Sequence, residues 1–135
     1  MTQKEPTPKK ELMPKKELIP KKEPMQRLCA LDAIAENSSR GFRLGNAPIF
    51  VVRQNDAFHA YVNWCPHLCI TLNYETDQFL NCSHDYILCA NHGALFDIHT
   101  GQCLAGPCTG KYLLPVPCET REDGLYIGDA PSIPL

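Results

Sequence analysis

From residue 27 onward, apolar residues occur in short runs separated by Gly, Pro, Asn and Asp. The clearest run, residues 49–53, is apolar and rich in β-branched residues, and the polar stretch 54–56 separates it from a second run at 57–63. This pattern predicts a β-hairpin. Further strands are predicted at residues 27–30, 86–88, 94–97, 113–118 and 125–127, with a helical turn at 31–35 and a turn at 38–41. The strands at 113–118 and 125–127 are predicted to form a last hairpin around residues 121–124. Many short strands with few helical patterns indicate an all-β sandwich or barrel.

The first 26 residues have a different pattern, a repeat of period six that reads PKKELM, PKKELI and PKKEPM from Pro8. A proline at every sixth position removes helical hydrogen bonds before two turns can form. Six residues are also too few for a stacking structural repeat. We therefore predict a disordered tail over residues 1–26, a folded domain over 27–128 and a short C-terminal tail over 129–135.

Length and charge narrow the range of functions. The 135 residues suit one domain, and no run of about 18 apolar residues predicts a membrane span. The N-terminus has no apolar signal-like region, so a cytoplasmic location is expected. The tail holds seven Lys and four Glu, whereas the remainder has six basic and eleven acidic residues. An acidic body argues against nucleic-acid binding. It would suit docking to a basic reductase surface, but the slight acidity that is common among soluble domains is the preferred explanation.

The chain has eight cysteines, which in a cytoplasmic protein point to metal or redox chemistry rather than to a disulfide framework. Two boxes stand out, Cys65-Pro66-His67 and Cys89-Ala90-Asn91-His92, with 21 residues between them. Two thiolates and two imidazoles are good ligands for an iron–sulfur cluster or for zinc. Gly93 follows the second box and permits backbone conformations that other residues resist.

The paired boxes resemble those of Rieske proteins, in which C-x-H and C-x2-H are separated by a spacer of similar length. The run His92-Gly93-Ala94-Leu95-Phe96-Asp97 is similar to the second Rieske box, and Gly106-Pro107-Cys108 to the loop that covers the cluster. The resemblance implies an all-β Rieske fold with a cluster-binding subdomain formed by two loops. It also implies one 2Fe–2S cluster per chain, with Cys65 and Cys89 on one iron and His67 and His92 on the other.

The resemblance further implies a ferredoxin-like one-electron carrier with no catalytic residues of its own, served by a flavin reductase and serving an acceptor such as an oxygenase. A complete Rieske oxygenase needs a second iron held by two His and a carboxylate, and no such set is left over. The alternatives are a protein like the small subunit of nitrite reductase and a non-redox zinc module using the same four ligands.

The departures from the respiratory-chain Rieske pattern concern the surroundings of the cluster. Those proteins join a cysteine of each box in a disulfide; here Cys69 stands one position early and Asn91 occupies the second place, so that bond cannot form. Ala94 and Phe96 replace a Ser and a Tyr that bond to the cluster. Fewer hydrogen bonds predict a potential at the low end of the Rieske range.

The remaining Cys, His and Trp residues have more ordinary expected roles. We expect Cys29 and Cys118 to pack as small hydrophobes, and Cys69 and Cys108 to lie near the cluster. Trp64 is expected beneath the first ligand loop. The other predicted packing, surface or loop residues are His59, His99 and Cys82, and Cys103 has no assigned role.

Overall fold

A computed structural model describes residues 25–66, 70–73, 75–91 and 93–131. Residues 1–24 and the last four residues lie outside this part, so the predicted tail and domain boundaries stay predictions. The described residues form one short 3-10 helix, Leu31–Ala33, and ten strands in three antiparallel sheets. The strands are β1 (Gln26–Cys29), β2 (Ser38–Leu44), β3 (Ala47–Gln54), β4 (Ala57–Val62), β5 (Ile87–Leu88), β6 (Leu95–Phe96), β7 (Cys103–Ala105), β8 (Pro115–Val116), β9 (Cys118–Arg121) and β10 (Gly124–Ile127).

The central sheet has the order β2-β3-β4-β8 and contains the predicted hairpin, which is confirmed. Its turn is formed by Asn55 and Asp56, whose φ angles are 54° and 62°. Two consecutive positive φ angles match the twist of the strands, and Asn and Asp tolerate them better than most residues.

Strand β3 is buried on both faces, and its alternate side chains enter two separate cores. Ile49 and Val51 enter one core, and Phe50 and Val52 enter the other. The buried residues of the first, which we call the basal core, are Ile34, Ile49, Val51, Ala60, Val62, Val116, Leu125 and Ile127. Those of the second, the cysteine core, are Phe50, Val52, Tyr61, Cys65, Leu72, Phe79, Ile87, Cys89, Ala94, Phe96, Ile98, Cys103, Cys108 and Leu113.

The second sheet, of order β1-β10-β9, contributes Leu125 and Ile127 to the basal core. Its hairpin differs from the predicted one, because β10 pairs with residues 118–121 rather than with 113–118. Strand β8 pairs with β4 instead. Pro115 and Pro117 have no N–H to donate to a ladder, so the chain changes sheets at this point.

The turn predicted at 38–41 is wrong, because these residues begin β2 and pair with β3 along its whole length. The loop that precedes the second box lies against these small and polar residues and forms hydrogen bonds with them. Ser39 Oγ donates to the carbonyl of Asp77 (2.8 Å), and the N–H of Gly41 donates to Asp77 Oδ1 (2.7 Å). A Cβ at Gly41 would stand 3.3 Å from the ring of Phe79, so a larger residue would crowd this loop.

The third sheet, of order β5-β6-β7, lies on the cysteine side and is built from strands of two or three residues. The stacked rings of Phe50 and Phe79, with centroids 4.4 Å apart, join this side to β3. The all-β prediction is confirmed, and in the described part of the chain no helix is long and apolar enough to cross a membrane.

Candidate metal centre

The first cysteine box follows β4 and is closed by a short backbone hydrogen bond. The N–H of Cys65 donates to the carbonyl of Ile70 (2.7 Å). Asn63, a buried polar residue, holds the returning chain: its Oδ1 accepts from the N–H of Leu72 (2.8 Å), and its Nδ2 donates to Asn73 Oδ1 (3.0 Å). Because these bonds are buried or half-buried, breaking them would leave polar groups unsatisfied. Asn63 therefore fixes the path of this loop.

The second box follows β5 and forms an even tighter loop. The N–H of Cys89 donates to the carbonyl of Ala94 (2.9 Å), and the N–H of Gly93 donates back to the carbonyl of Cys89 (2.9 Å). Gly93 has φ of +78°, a conformation that glycine adopts without strain. The glycine after the box is thus required by the turn that directs the chain into β6.

The two loops are bound to each other at two points. The N–H of Ala90 donates to the carbonyl of Leu72 (2.8 Å), and Asn91 Nδ2 donates to the carbonyl of Thr71 (2.9 Å). Asn91 occupies the place of the second disulfide cysteine of respiratory-chain Rieske proteins. Here its amide provides a hydrogen-bonded link between the loops.

The arrangement brings the side chains of Cys65 and Cys89 together, both fully buried. Burial raises the pKa of the Cys89 thiol, a backbone hydrogen bond from Asn91 opposes that rise, and the adjacent Cys65 adds to it. Asn91 Nδ2 also lies 3.8 Å from Cys89 Sγ. A bound metal cation would deprotonate such thiols, and N–H groups directed at the sulfur would stabilise the remaining charge. The pair therefore fits an iron–sulfur cluster.

A third loop, between β7 and residue 110, lies against the second box. Gly106 has φ of +110°, and a Cβ there would stand 2.9 Å from Cα of Ala94. Cys108 in this loop and Cys103 in β7 are both buried. Burial, together with the neighbouring Cys103, raises the pKa of Cys108 to about 12. The segment predicted to cover the cluster thus packs closely on the second ligand loop.

The structure describes only half of the predicted ligand set. His67 and His92, together with Cys69, lie outside the described residues, so their role stays a prediction. In the part that is described, no three His, Cys, Asp or Glu side chains are grouped to hold a metal ion. Of the four predicted ligands, Cys65 and Cys89 are thus the two whose positions the structure describes.

The structure also shows where Trp64 and the remaining cysteines of the described part lie. Cys29 and Cys118 pack against the basal core as half-buried side chains, as expected, and Cys82 is exposed. The expectation for Trp64 is wrong, because it packs against the basal core. Side-chain alternation explains this: Val62 faces that core, and Trp64 is two residues further on. The contact between Cys103 and Cys108 was not anticipated; its sequence signal was their spacing around Gly106-Pro107.

Comparison with known proteins decides the family. A family profile described as "Rieske [2Fe-2S] domain" matches residues 24–120. The chain belongs to the Rieske [2Fe-2S] domain family. The cofactor of this Rieske protein is accordingly a 2Fe–2S cluster. Ferredoxin CarAc of Metapseudomonas resinovorans is 32% identical over 102 residues, which cover 75% of this chain and 90% of that protein.

Solved structures agree. One chain from a complex of reduced oxygenase and oxidized ferredoxin in carbazole 1,9a-dioxygenase is 29% identical, with 82% of this chain and 96% of that chain covered and a TM-score of 0.63. The ferredoxin of carbazole 1,9a-dioxygenase from Nocardioides aromaticivorans IC177 is 23% identical over 80% and 98% of the two chains, with a TM-score of 0.64. The terminal oxygenase from Novosphingobium sp. KA1 is 20% identical over 82% and 31%, with a TM-score of 0.67. The last two structures, at 23% and 20% identity, show the shared fold alone, and they confirm the Rieske-type architecture.

Proposed function

We propose that this Rieske protein is the ferredoxin component of an oxygenase system, which receives single electrons from a reductase and delivers them to a terminal oxygenase. The observation that carries the proposal is its match to nearly the whole of a ferredoxin. It aligns with 90% of Ferredoxin CarAc, whereas it spans about a third of a terminal oxygenase, 31% of that chain.

The proposed cluster ligands are Cys65, His67, Cys89 and His92. The spacing of the two boxes supports all four, and the burial of the two cysteines in mutually bonded loops supports their half of the set. When bound, the cluster supplies a one-electron couple with a potential above that of an all-cysteine cluster. The chain holds the loops in register, excludes water from both thiols and directs N–H groups at Cys89.

The residues that follow the second box influence the potential. Ala94 and Phe96 are fully buried and bring no hydroxyl group to the centre. Hydrogen bonds to a cluster stabilise the added electron and raise the potential. We therefore propose a midpoint near about −150 mV, the lower bound for Rieske centres.

The proposed partner surface surrounds the two ligand loops. Ile70 in the first ligand loop is 41% exposed, and Leu104 in β7, beside the covering loop, is 46% exposed. Large apolar side chains at such positions gain when a partner covers them. Nucleic acid is not a proposed partner, since the body of the chain is acidic. We also propose a cytoplasmic location, in keeping with cysteines used for metal chemistry.

The experiment is a reconstituted electron relay with NADH, a generic flavin reductase, the cluster-loaded chain and cytochrome c as acceptor. We expect cytochrome reduction that depends on the chain and disappears with the variant Cys89→Ala. Cys82→Ser is the matched control, because Cys82 is exposed and lies outside the ligand loops. The carrier role would be contradicted by turnover of an organic substrate with the chain alone, a chemical reductant and oxygen.

A further inference from the structure

Two cysteines outside the proposed ligand set lie in direct contact. The Sγ atoms of Cys103, in β7, and Cys108, at the end of the covering loop, are 3.2 Å apart. Both side chains are 1% exposed. The thiol of Cys103 also lies 3.3 Å from the carbonyl oxygen of Ala105. The two thiols are thus already in contact within a single turn of the chain.

The backbone on either side of this pair is fixed by hydrogen bonds. The N–H of Gly110 donates to the carbonyl of Cys103 (3.1 Å), and the N–H of Cys103 donates to the carbonyl of Lys111 (2.7 Å). The N–H of Lys111 in turn donates to the carbonyl of Cys108 (2.9 Å). A disulfide requires an S–S distance of about 2.05 Å, so the sulfur atoms must approach by about 1 Å. Rotation of the side chains can supply a movement of that size without breaking these backbone bonds.

The geometry points to a reversible disulfide between Cys103 and Cys108 in the folded, cluster-loaded protein. The oxidant is a small disulfide such as oxidised glutathione. One protein thiolate attacks it and releases one glutathione, and the second protein thiolate then attacks the mixed disulfide and releases the other. The two cysteines lose two protons and two electrons, and one glutathione disulfide becomes two thiols.

The position of the bond defines its effect on the molecule. It closes the turn that contains Gly106, and a Cβ at Gly106 would come within 2.9 Å of Ala94 in the second ligand loop. Oxidation therefore secures the covering loop against the loop that holds Cys89. We expect slower removal of iron by a chelator from the oxidised protein than from the reduced protein.

Burial sets the order in which the cysteines react. Exposed Cys82 meets oxidised glutathione directly, whereas Cys103 and Cys108 become accessible only when the covering loop opens. The internal disulfide should thus form more slowly than glutathione adds to Cys82. Because the two protein thiols are already in contact, the Cys103–Cys108 disulfide should also persist longer than the mixed disulfide with glutathione from which it forms.

The test uses the full, cluster-loaded chain in glutathione buffers that range from fully reduced to fully oxidised. After acid quenching and alkylation, cleavage before Asp97 and after Lys111 yields a peptide with only these two cysteines. In oxidised buffer we expect this peptide unalkylated and lighter by two hydrogens; in reduced buffer we expect it doubly alkylated. A peptide that is still doubly alkylated at equilibrium in the fully oxidised buffer, long after Cys82 has been glutathionylated, would overturn the proposal. So would a disulfide that appears only after the cluster absorbance is lost.

Two variants separate the disulfide from general oxidation. In Cys108→Ala the oxidised buffer should no longer slow iron removal, whereas Cys82→Ser should keep the wild-type response. An equal response in all three proteins would contradict the proposed effect on the covering loop. Should Cys108→Ala fail to fold, the peptide masses of the wild-type chain still decide whether the bond forms.

Discussion

The two faces of the central sheet are built in different ways. The buried residues of the basal core are all aliphatic. The sheet that contributes to this core, β1-β10-β9, has strands of four residues. The cysteine core contains three phenylalanines, a tyrosine and four cysteines, and its outer strands have only two or three residues. On that face the backbone is positioned by side-chain hydrogen bonds and glycine turns rather than by long ladders.

This difference assigns different tasks to the two faces. Burial of aliphatic side chains increases the free energy of unfolding and does not require one particular geometry. Hydrogen bonds from Asn63 and Asn91 contribute less energy, but they fix where the ligand loops lie. Damage to the basal core should therefore lower stability while the cofactor stays bound, and damage to the cysteine side should affect the cofactor first.

The largest expected effect on stability is from Leu125→Ala in the basal core. Leu125 is fully buried, and its truncation leaves a cavity among aliphatic neighbours. We expect a loss of about 2–5 kcal/mol in the free energy of unfolding, with unchanged iron per folded molecule. Denaturant titration and iron analysis measure the two quantities. Leu104→Ala is the exposed control and should change stability by less than about 0.5 kcal/mol.

Next in size is Gly106→Ala in the covering loop. The substitution combines the strain of a positive φ, about 1–3 kcal/mol, with a 2.9 Å approach to the backbone of Ala94. We expect lower stability and faster iron release to a chelator. Gly110→Ala is the matched control, because its φ is +92° but its Cβ would meet nothing within 4 Å. Equal iron release from the two variants would contradict the role of the contact with Ala94.

A comparable effect is expected from Asn63→Ala, which removes the two side-chain hydrogen bonds from Asn63 to the first loop. The N–H of Leu72 then loses its buried partner, at a cost of about 1–3 kcal/mol. Iron should be released faster than from wild type, as followed by chelator absorbance. The control is Asn46→Ala in the exposed turn after β2. If iron is released at the wild-type rate while stability falls, Asn63 acts only on the fold.

How much of this could be read from the sequence differs between the two faces. Two apolar runs separated by a polar turn predicted the hairpin of β3 and β4, because β3 is buried on both faces and its buried residues form a continuous apolar run. Strand β2 was missed because Ser38, Ser39 and Gly41 are residues typical of turns. Asp77 and Phe79 approach this part of β2 closely, and the small residues leave room for them. Such a tertiary contact is not encoded in the local sequence pattern.

On the cysteine side, chemistry rather than periodicity carried the prediction. The paired boxes indicated the two ligand loops, although strands of two residues are too short to give a periodic signal. Strand β7 was missed for the same reason. The contact of Cys103 with Cys108 depends on how the covering loop folds back, which the spacing suggests only after the backbone bonds are known.

The smallest expected effect is a pH dependence of stability that comes from Tyr61 in the cysteine core. Burial raises the pKa of Tyr61 to about 12, and its hydroxyl donates to the carbonyl of Ile98 (2.7 Å). The folded state therefore keeps the phenol proton more tightly than the unfolded state does. Its stabilising contribution is complete below the unfolded pKa of about 10 and is lost as the pH rises towards 12.

Denaturant titrations of the wild type and Tyr61→Phe between pH 8 and pH 11 measure this dependence. The difference in stability between the two proteins should shrink as the pH rises above about 10. A constant difference across that range would show that ionisation of Tyr61 is not linked to folding.

The most direct test of the central claim is the metal and sulfide content of the purified chain. The Rieske assignment predicts about two irons and two acid-labile sulfides per chain, the composition of a 2Fe–2S cluster. It also predicts that Cys65→Ala and Cys89→Ala abolish both. Stoichiometric zinc without acid-labile sulfide, in a folded protein, would contradict the assignment and leave the zinc-binding alternative.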